Sequence, residues 1–128
     1  MKRHILNANI IVLVFVIAAG FTALFYWQNC CVEITAFEYS SAEIPAEFDR
    51  LTIVHVSDLH NKQFGLEQSR LLRLVEEANP DLIAITGDLI DRRRYDLEKA
   101  MHFINSAVEI APVYYVSGNH EAWSGEYP

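Results

Sequence analysis

The strongest constraint on this chain is a long uncharged segment close to its start. No Asp, Glu, Lys or Arg occurs between residues 5 and 32, and residues 10–27 are almost entirely apolar. A helix needs about 20 such residues to cross the hydrocarbon core of a bilayer. Because the segment is apolar on every face, it suits lipid better than the surface of a globular protein. We therefore expect a single-pass transmembrane helix, with the lipid bilayer contacting residues 5–28.

The residues that flank this segment predict its orientation. Lys2 and Arg3 precede it, whereas acidic residues follow it. The positive-inside rule then places the N-terminus in the cytoplasm. A cleaved signal peptide is the alternative, but the apolar run is longer than a usual signal and no small-residue cleavage site follows it. We expect a cell-membrane protein, with residues 1–31 as the anchor with its short cytoplasmic tail and residues 32–128 as an extracytoplasmic domain.

Charge and cysteine content argue against two kinds of function. The formal net charge of -7 leaves no basic surface to neutralise the phosphates of a nucleic acid, so we expect no nucleic-acid partner. The two cysteines, Cys30 and Cys31, are adjacent, and no C-x-x-C pair occurs. A thiolate zinc site therefore cannot be built within the chain.

Beyond residue 32 the sequence alternates between strand and helix patterns. Short runs rich in Val and Ile are typical of strands buried on both faces, and apolar residues at helical spacing predict amphipathic helices. The predicted elements are strands over residues 32–39, 51–57, 81–86 and 112–116 and helices over residues 66–78 and 97–110. The core stripe predicted for the second helix consists of Leu97, Met101, Ile104 and Val108. After the first strand, the β-α-β-α-β order implies a parallel sheet with right-handed crossovers.

Each of the last three predicted strands ends in a polar cluster. The clusters are Ser57-Asp58-Leu59-His60-Asn61, Gly87-Asp88-Leu89-Ile90-Asp91 and Ser117-Gly118-Asn119-His120-Glu121. Ligands of open parallel sheets bind at the carboxyl ends of the strands, so the clusters should meet at one rim. Carboxylates, imidazoles and amide oxygens suit a divalent metal such as manganese, iron or zinc. No Ser or Cys stands in a pattern typical of an activated nucleophile, which favours metal-bound water as the attacking group.

These clusters resemble the motifs of the calcineurin-like metallophosphoesterases. Asp58-Leu59-His60 is similar to the D-x-H motif of that family. The other two clusters are similar to its G-D-x-x-D and G-N-H-[DE] motifs. All three occur in the family's order, about 30 residues apart and each after a strand. The resemblance implies a phosphodiesterase or phosphomonoesterase. It also implies an α/β fold, in which the transmembrane helix precedes a β-α-β-α-β half of the family's α/β sandwich.

The resemblance also implies a role for individual motif residues. Asp58 and His60 would bind the first of two divalent metal ions, Asp88 would bridge both ions, and Asn119 would bind the second. His120 would be the catalytic residue beside the phosphate, protonating the leaving oxygen or stabilising charge on the phosphoryl group. Two such ions, about 3.5–4 Å apart, would activate a water as the attacking hydroxide. Manganese, iron and zinc are the ions expected.

The departure from the family pattern is also informative. The family continues with a second half that supplies a lone metal-binding His and a G-H-x-H motif, and no G-H-x-H occurs in this sequence. We therefore expect an incomplete phosphoesterase domain. The alternative function is a truncated, catalytically inactive membrane protein. The expected substrate is a phosphate ester, and the membrane anchor makes a lipid-linked ester plausible.

Simpler interpretations compete with these assignments. Asp58 and Asp88 could cap the helices that follow them, and Asp91 is expected to be structural rather than a ligand. His55 is expected to be a core or sheet residue. The basic run at residues 92–94 is either a solvated face or a contact for anionic lipid or substrate. A Rossmann-like nucleotide-binding module is a further possibility, but no G-x-G-x-x-G follows the first strand.

Overall fold

The computed structural model describes residues 2–126. The side chains of residues 2–7 and of Cys30 lie outside the described part. The two basic residues that predict the orientation of the anchor are among them, so that orientation stays a prediction. The chain divides into two compact units, residues 1–34 and residues 35–128, and each is described by itself.

The first unit contains one long helix, α1, over Lys2–Cys30. Its span Ala8–Asn29 is long and apolar enough to cross a membrane, by length and composition, and all of its side chains are exposed. The hydroxyl of Thr22 donates to the carbonyl of Ala18 at 2.9 Å. This bond satisfies a polar group within the helix itself, as an apolar surrounding requires.

The strand predicted over residues 32–39 is wrong. Residues 31–41 have no regular structure, and the side chains of residues 33–40 are exposed. A strand is stabilised by the backbone groups of a neighbouring strand, and no described residue pairs with this segment. The sequence preference alone therefore leaves it extended and unpaired. The predicted domain boundary after residue 31 stays a prediction.

The second unit contains the β-α-β-α-β arrangement that the sequence predicts. Its elements are β1 (Ile53–Val56), a 3₁₀ turn (Leu66–Gln68), α2 (Ser69–Glu77), β2 (Leu82–Ile85), α3 (Leu97–Ala107), β3 (Val113–Tyr115) and a short helix α4 (Asn119–Ala122), after a 3₁₀ turn at Ala46–Phe48. The strands form a parallel sheet in the order β1-β2-β3. The predicted parallel α/β fold is confirmed.

The helices of this unit cover only one face of the sheet. Both crossovers advance in the same direction along the sheet, so right-handed connections place α2 and α3 on the same side. Ile83 and Ile85 of β2 face that side, and Ile83 is fully buried. On the opposite face Ile53 and Tyr114 are exposed, Tyr114 by 66%. The prediction that the strands are buried on both faces is therefore wrong for the described residues.

The buried face of α3 also differs from the predicted stripe. Ala100, Phe103 and Ala107 are buried, and Phe103 is completely shielded. Three members of the predicted stripe are exposed, namely Leu97, Met101 and Val108, while Ile104 is half-buried. The small alanines let the helix pack closely while Phe103 fills the remaining volume. The sequence prediction erred because it assigned the core to the larger aliphatic side chains.

Candidate metal centre

The loops that follow β1 and β2 are joined by backbone hydrogen bonds. Three residues in or next to the first motif each donate a backbone N–H to a carbonyl of the second loop. The bonds run from Asp58 to Gly87 (3.2 Å), from His60 to Asp88 (2.9 Å) and from Asn61 to Leu89 (2.8 Å). The two motifs therefore lie against each other at the carboxyl edge of the sheet.

The loops that follow β2 and β3 meet at a pair of glycines. Gly87 has a φ of 90°, and a Cβ atom added there would lie 2.1 Å from the backbone nitrogen of Gly118. A Cβ on Gly118 would lie 2.3 Å from Oδ1 of Asp88. The N–H of His120 donates to this same Oδ1 at 2.7 Å. The second and third motifs can approach this closely only because both positions lack a side chain.

Three of the predicted ligand residues have left-handed backbone conformations. The φ angles are 58° at Asp58, 46° at His60 and 53° at Asp88. Such conformations are uncommon outside glycine and cost on the order of 1–3 kcal/mol each when the surrounding structure imposes them. The hydrogen bonds between the loops hold these residues in place, which is typical of functional sites.

The three loops bring a compact group of possible metal ligands together. Ligand atoms of His60, Asp88 and His120 all lie within 4.8 Å of one another, and the three residues are half-buried. A carboxylate oxygen of Asp58 lies 3.5 Å from Nε2 of His60. Asn119 is exposed at the first residue of α4. The structure thus gathers two of the predicted ligands with the predicted catalytic histidine, and the individual roles stay predictions.

This group of side chains suits a divalent cation. One carboxylate and two imidazoles, with a second carboxylate beside them, form a mixed oxygen and nitrogen donor set that transition-metal ions accept. The helix-capping interpretation of Asp58 and Asp88 is wrong. The helices α2, α3 and α4 are preceded by Gln68, Asp96 and Gly118 at their N-cap positions.

A backbone hydrogen bond to Nδ1 orients the ring of His120. The backbone N–H of Arg92 donates to Nδ1 at 3.2 Å, so the neutral ring carries its proton on Nε2. Oδ1 of Asp91 lies 3.8 Å from the same Nδ1. The N–H of Arg93, which donates to Asp91 at 2.9 Å, lowers the pKa of the Asp91 carboxyl, and the neighbouring imidazoles of His120 and His60 lower it further. Asp91 therefore presents a carboxylate to the histidine.

Comparison with known proteins identifies the family. A family model described as calcineurin-like phosphoesterase matches residues 51–128, which is more than half of the chain. The chain belongs to the calcineurin-like phosphoesterase family. The match begins just before β1 and includes all three motif loops, which confirms the resemblance inferred from the motifs.

Several curated calcineurin-like phosphoesterases are similar to this chain. An uncharacterized metallophosphoesterase of Bacillus subtilis, YkoQ, is 35% identical over 75 residues, covering 56% of this chain and 27% of the relative. Another from that organism, YkuE, is 40% identical over 68 residues, covering 52% and 24%. A transmembrane protein with metallophosphoesterase domain from Danio rerio is 26% identical over 96 residues, covering 73% and 22%. The chain spans about a quarter of the length of these relatives. No solved structure gives a significant match.

Sequence reasoning gave no role to Glu121, the last residue of the third phosphoesterase motif. Glu121 is buried, and its carboxylate accepts four backbone hydrogen bonds, from Asp88, Leu89, Ile90 and Gly118. Burial raises the pKa of this carboxyl, but the N–H donors outweigh burial and the net pKa lies below its ordinary value. A local signal existed, because an acidic residue three positions after a helix N-cap commonly reaches back to the cap.

A groove of roughly 700 Å³ opens beside the candidate metal-binding residues. It is lined by motif residues and by basic side chains, namely Asp58, Leu59, His60, Asn61, Lys62, Asp91, Arg94, Tyr95, Asp96 and Lys99. The side-chain oxygen of Asn61 is buried there without a hydrogen-bond partner among the described residues. The basic run at residues 92–94 is divided, since Arg92 lies 4.9 Å from the ring of Trp123 while Arg94 lines the groove.

Proposed function

We propose that the chain is the metal-binding part of a membrane-anchored phosphoesterase that hydrolyses phosphate esters. The observation that carries the proposal is that three separate loops bring the predicted ligands His60 and Asp88 and the predicted catalytic His120 to within 4.8 Å of one another. Membership of the calcineurin-like phosphoesterase family supports hydrolysis of a phosphate ester. The proposed substrate is a phosphodiester or a phosphomonoester.

Four residues would hold the metal ions in this proposal. Asp58 and His60 would bind one divalent cation, Asp88 would contact both cations, and Asn119 would bind the other. Bound divalent cations lower the pKa of coordinated water and neutralise charge on phosphoryl oxygens. The left-handed conformations of the first three residues support this assignment, because imposed backbone strain of this kind is typical of functional sites.

His120 would protonate the leaving oxygen or stabilise charge on the phosphoryl group. Because Nδ1 accepts the N–H of Arg92, the neutral ring presents its Nε2–H, which would stabilise charge on a phosphoryl or leaving oxygen by a hydrogen bond. Transfer of a proton to the leaving oxygen would come from the doubly protonated ring, which then returns to this neutral form. The Asp91 carboxylate, 3.8 Å from Nδ1, would stabilise the ring when it is doubly protonated. The pKa of Asp91 lies below its ordinary value of 3.8, so this carboxylate is charged at neutral pH.

The membrane location and the substrate class extend the proposal. The apolar span of α1 and the relative from Danio rerio that is named as a transmembrane protein support a membrane protein. We place the N-terminus in the cytoplasm and the phosphoesterase part outside the cell membrane. Lys62 and Arg94 in the groove suit an anionic substrate, and a lipid-linked phosphate ester would bring such a group to an anchored domain.

The proposal is tested with the full chain in detergent. Hydrolysis of bis(p-nitrophenyl) phosphate would be measured with added Mn²⁺ and again with excess EDTA. We expect metal-dependent turnover that Asp88→Ala reduces to the rate without metal. Asp49→Ala is the matched control, because Asp49 is an exposed aspartate that lies outside the three motif loops. Metal-dependent hydrolysis that survives Asp88→Ala unchanged would reject the proposed site.

The assigned role of His120 needs a separate variant. His120→Ala should lower kcat by roughly 100-fold or more, the usual contribution of a general acid or base. Mn²⁺ binding, followed by calorimetric titration, should persist in this variant. If Mn²⁺ binding is lost together with turnover, His120 is a metal ligand and the proton role is wrong.

A further inference from the structure

The side chain of Glu121 joins the second and third motif loops. Its Oε2 atom accepts the N–H of Asp88 at 2.7 Å and the N–H of Gly118 at 2.8 Å. Its Oε1 atom accepts the N–H groups of Leu89 at 2.7 Å and of Ile90 at 3.2 Å. Glu121 is only 7% exposed, so water does not replace these bonds.

Capping of α4 explains only a small part of this arrangement. A glutamate at the third position of a helix commonly accepts the N–H of the N-cap residue, and the bond to Gly118 is of this kind. The other three bonds go to residues 88–90, which lie 31 to 33 positions earlier in the chain. A short helix does not need them. They order a different loop, the one that carries Asp88.

The remaining contacts of Asp88 use its acceptor atoms. His60 donates to its backbone carbonyl at 2.9 Å, and His120 donates to its Oδ1 at 2.7 Å. The Glu121 carboxylate accepts hydrogen bonds from the backbone N–H groups of Asp88 and of the two residues that follow it. The left-handed backbone of Asp88, with a φ of 53°, would be free to relax if these donors lost their acceptor. The direction of the Asp88 carboxylate therefore depends on Glu121.

We propose that Glu121 is a positioning residue, whose buried carboxylate holds the Asp88 loop in the conformation that binds metal. The inference rests on the proposed function, because it assigns Asp88 to the metal centre. Glu121 touches neither the metal nor the substrate in this role. Groups that orient metal ligands typically change metal affinity by roughly 10- to 100-fold when they are replaced.

The test compares two variants of the full chain in detergent. Glu121→Gln keeps the size of the side chain, but it places an NH₂ group against backbone N–H donors and so breaks one pair of bonds. Phe103→Leu is the matched control for stability, because it opens a cavity in the core of α3 at a residue outside the motif loops. Mn²⁺ affinity, thermal unfolding and backbone amide exchange would be measured for both variants and for the parent chain.

We expect Glu121→Gln to bind Mn²⁺ roughly 10- to 100-fold more weakly than the parent. Amides of residues 88–90 should exchange faster, while those of β2 remain protected. Phe103→Leu should lower the melting temperature without either change. Parental Mn²⁺ affinity in Glu121→Gln would overturn the proposal even if its melting temperature fell.

A parent chain that binds no Mn²⁺ would refute the proposed function instead. Amide exchange then decides alone, and unchanged exchange at residues 88–90 overturns the role of Glu121.

Discussion

Helix α1 and the candidate metal centre obtain their structure in opposite ways. In α1 the hydrogen bonds join residues four positions apart, as between Thr22 and Ala18, and every described side chain of residues 8–29 is exposed. In the metal centre the bonds between the second and third loops join residues about thirty positions apart, as between Asp88 and His120. Local composition is sufficient to form the helix, whereas the centre requires that the β-α-β-α-β topology has already assembled.

The difference teaches where each region tolerates change. A side chain of α1 has ample space around it but must remain apolar if the helix is to lie in lipid. Where the loops of the candidate metal centre meet, by contrast, Gly87 and Gly118 leave no room for a Cβ atom. The same kind of substitution should therefore have opposite consequences in the two regions.

The largest effect is expected for Gly87→Ala in the metal centre. The new Cβ would lie 2.1 Å from the backbone nitrogen of Gly118, and the φ of 90° is unfavourable for alanine. Backbone strain and overpacking together should lower the free energy of unfolding by about 4 kcal/mol. Unfolding of the full chain in detergent, followed by circular dichroism with increasing urea, measures this loss.

Two other glycines separate the causes of that loss. Gly125 has a φ of 83° but no atom within 4 Å of an added Cβ, so Gly125→Ala should cost only about 1 kcal/mol. Gly20 in α1 also has open space around it, and Gly20→Ala should stabilise the helix by at most about 1 kcal/mol. Equal losses for Gly87→Ala and Gly125→Ala would show that the two loops separate easily.

The next largest effect is expected for a charge within α1. Ala18→Arg places a cation near the middle of the apolar span and should disfavour membrane insertion by about 3 kcal/mol. Resistance of the chain to extraction from membranes by alkaline carbonate measures insertion. Ala18→Leu is the control for size and should leave insertion intact. Ala78→Arg, at an exposed position after α2, should change stability by less than about 0.5 kcal/mol. Full retention of Ala18→Arg in membranes would contradict a lipid-facing helix.

The elements of the fold were largely predictable because their patterns are local. The three paired strands and the two helices between them follow from apolar runs and helical spacing, and the parallel order follows from their alternation. Residues 32–39 have an equally good strand pattern, yet no described strand pairs with them. Strand propensity indicates that a segment can form a strand. Whether it pairs with another strand depends on residues elsewhere in the chain.

The sequence predicted that residues of the three motifs come together, but it did not predict the contacts that hold them. The motifs identified His60, Asp88 and His120, because these residue types after strands are informative together. The hydrogen bonds from the second loop to Glu121 were not predicted. They depend on where this loop lies relative to a helix more than thirty residues later. The buried face of α3 was also misjudged, because the closeness of a helix to its sheet cannot be read from side-chain size alone.

The smallest effect is expected at the start of α3, where a local interaction lies close to the metal centre. The Asp96 carboxylate accepts the N–H of Lys99 at 3.2 Å and pairs with its ammonium group at 2.9 Å. Asp96→Ala removes the helix cap and should lower the melting temperature by a few degrees. Asp96→Asn keeps an oxygen for the cap but loses the charge, so its loss should be smaller.

Acidification distinguishes the charge of Asp96 from its capping role. The hydrogen bond from the Lys99 side chain lowers the pKa of the Asp96 carboxyl below its ordinary value of 3.8. Stability from this ionisation is therefore present above about pH 3.8 and disappears as the pH falls through the lower pKa of the folded state. The difference in melting temperature between the parent and Asp96→Asn should shrink in that range. Asp91 and Glu121 titrate in both proteins and cancel in the difference. If the difference in melting temperature stayed constant to the lowest pH, the Asp96 charge would not contribute. The contact would then depend only on the hydrogen-bonding geometry of the cap.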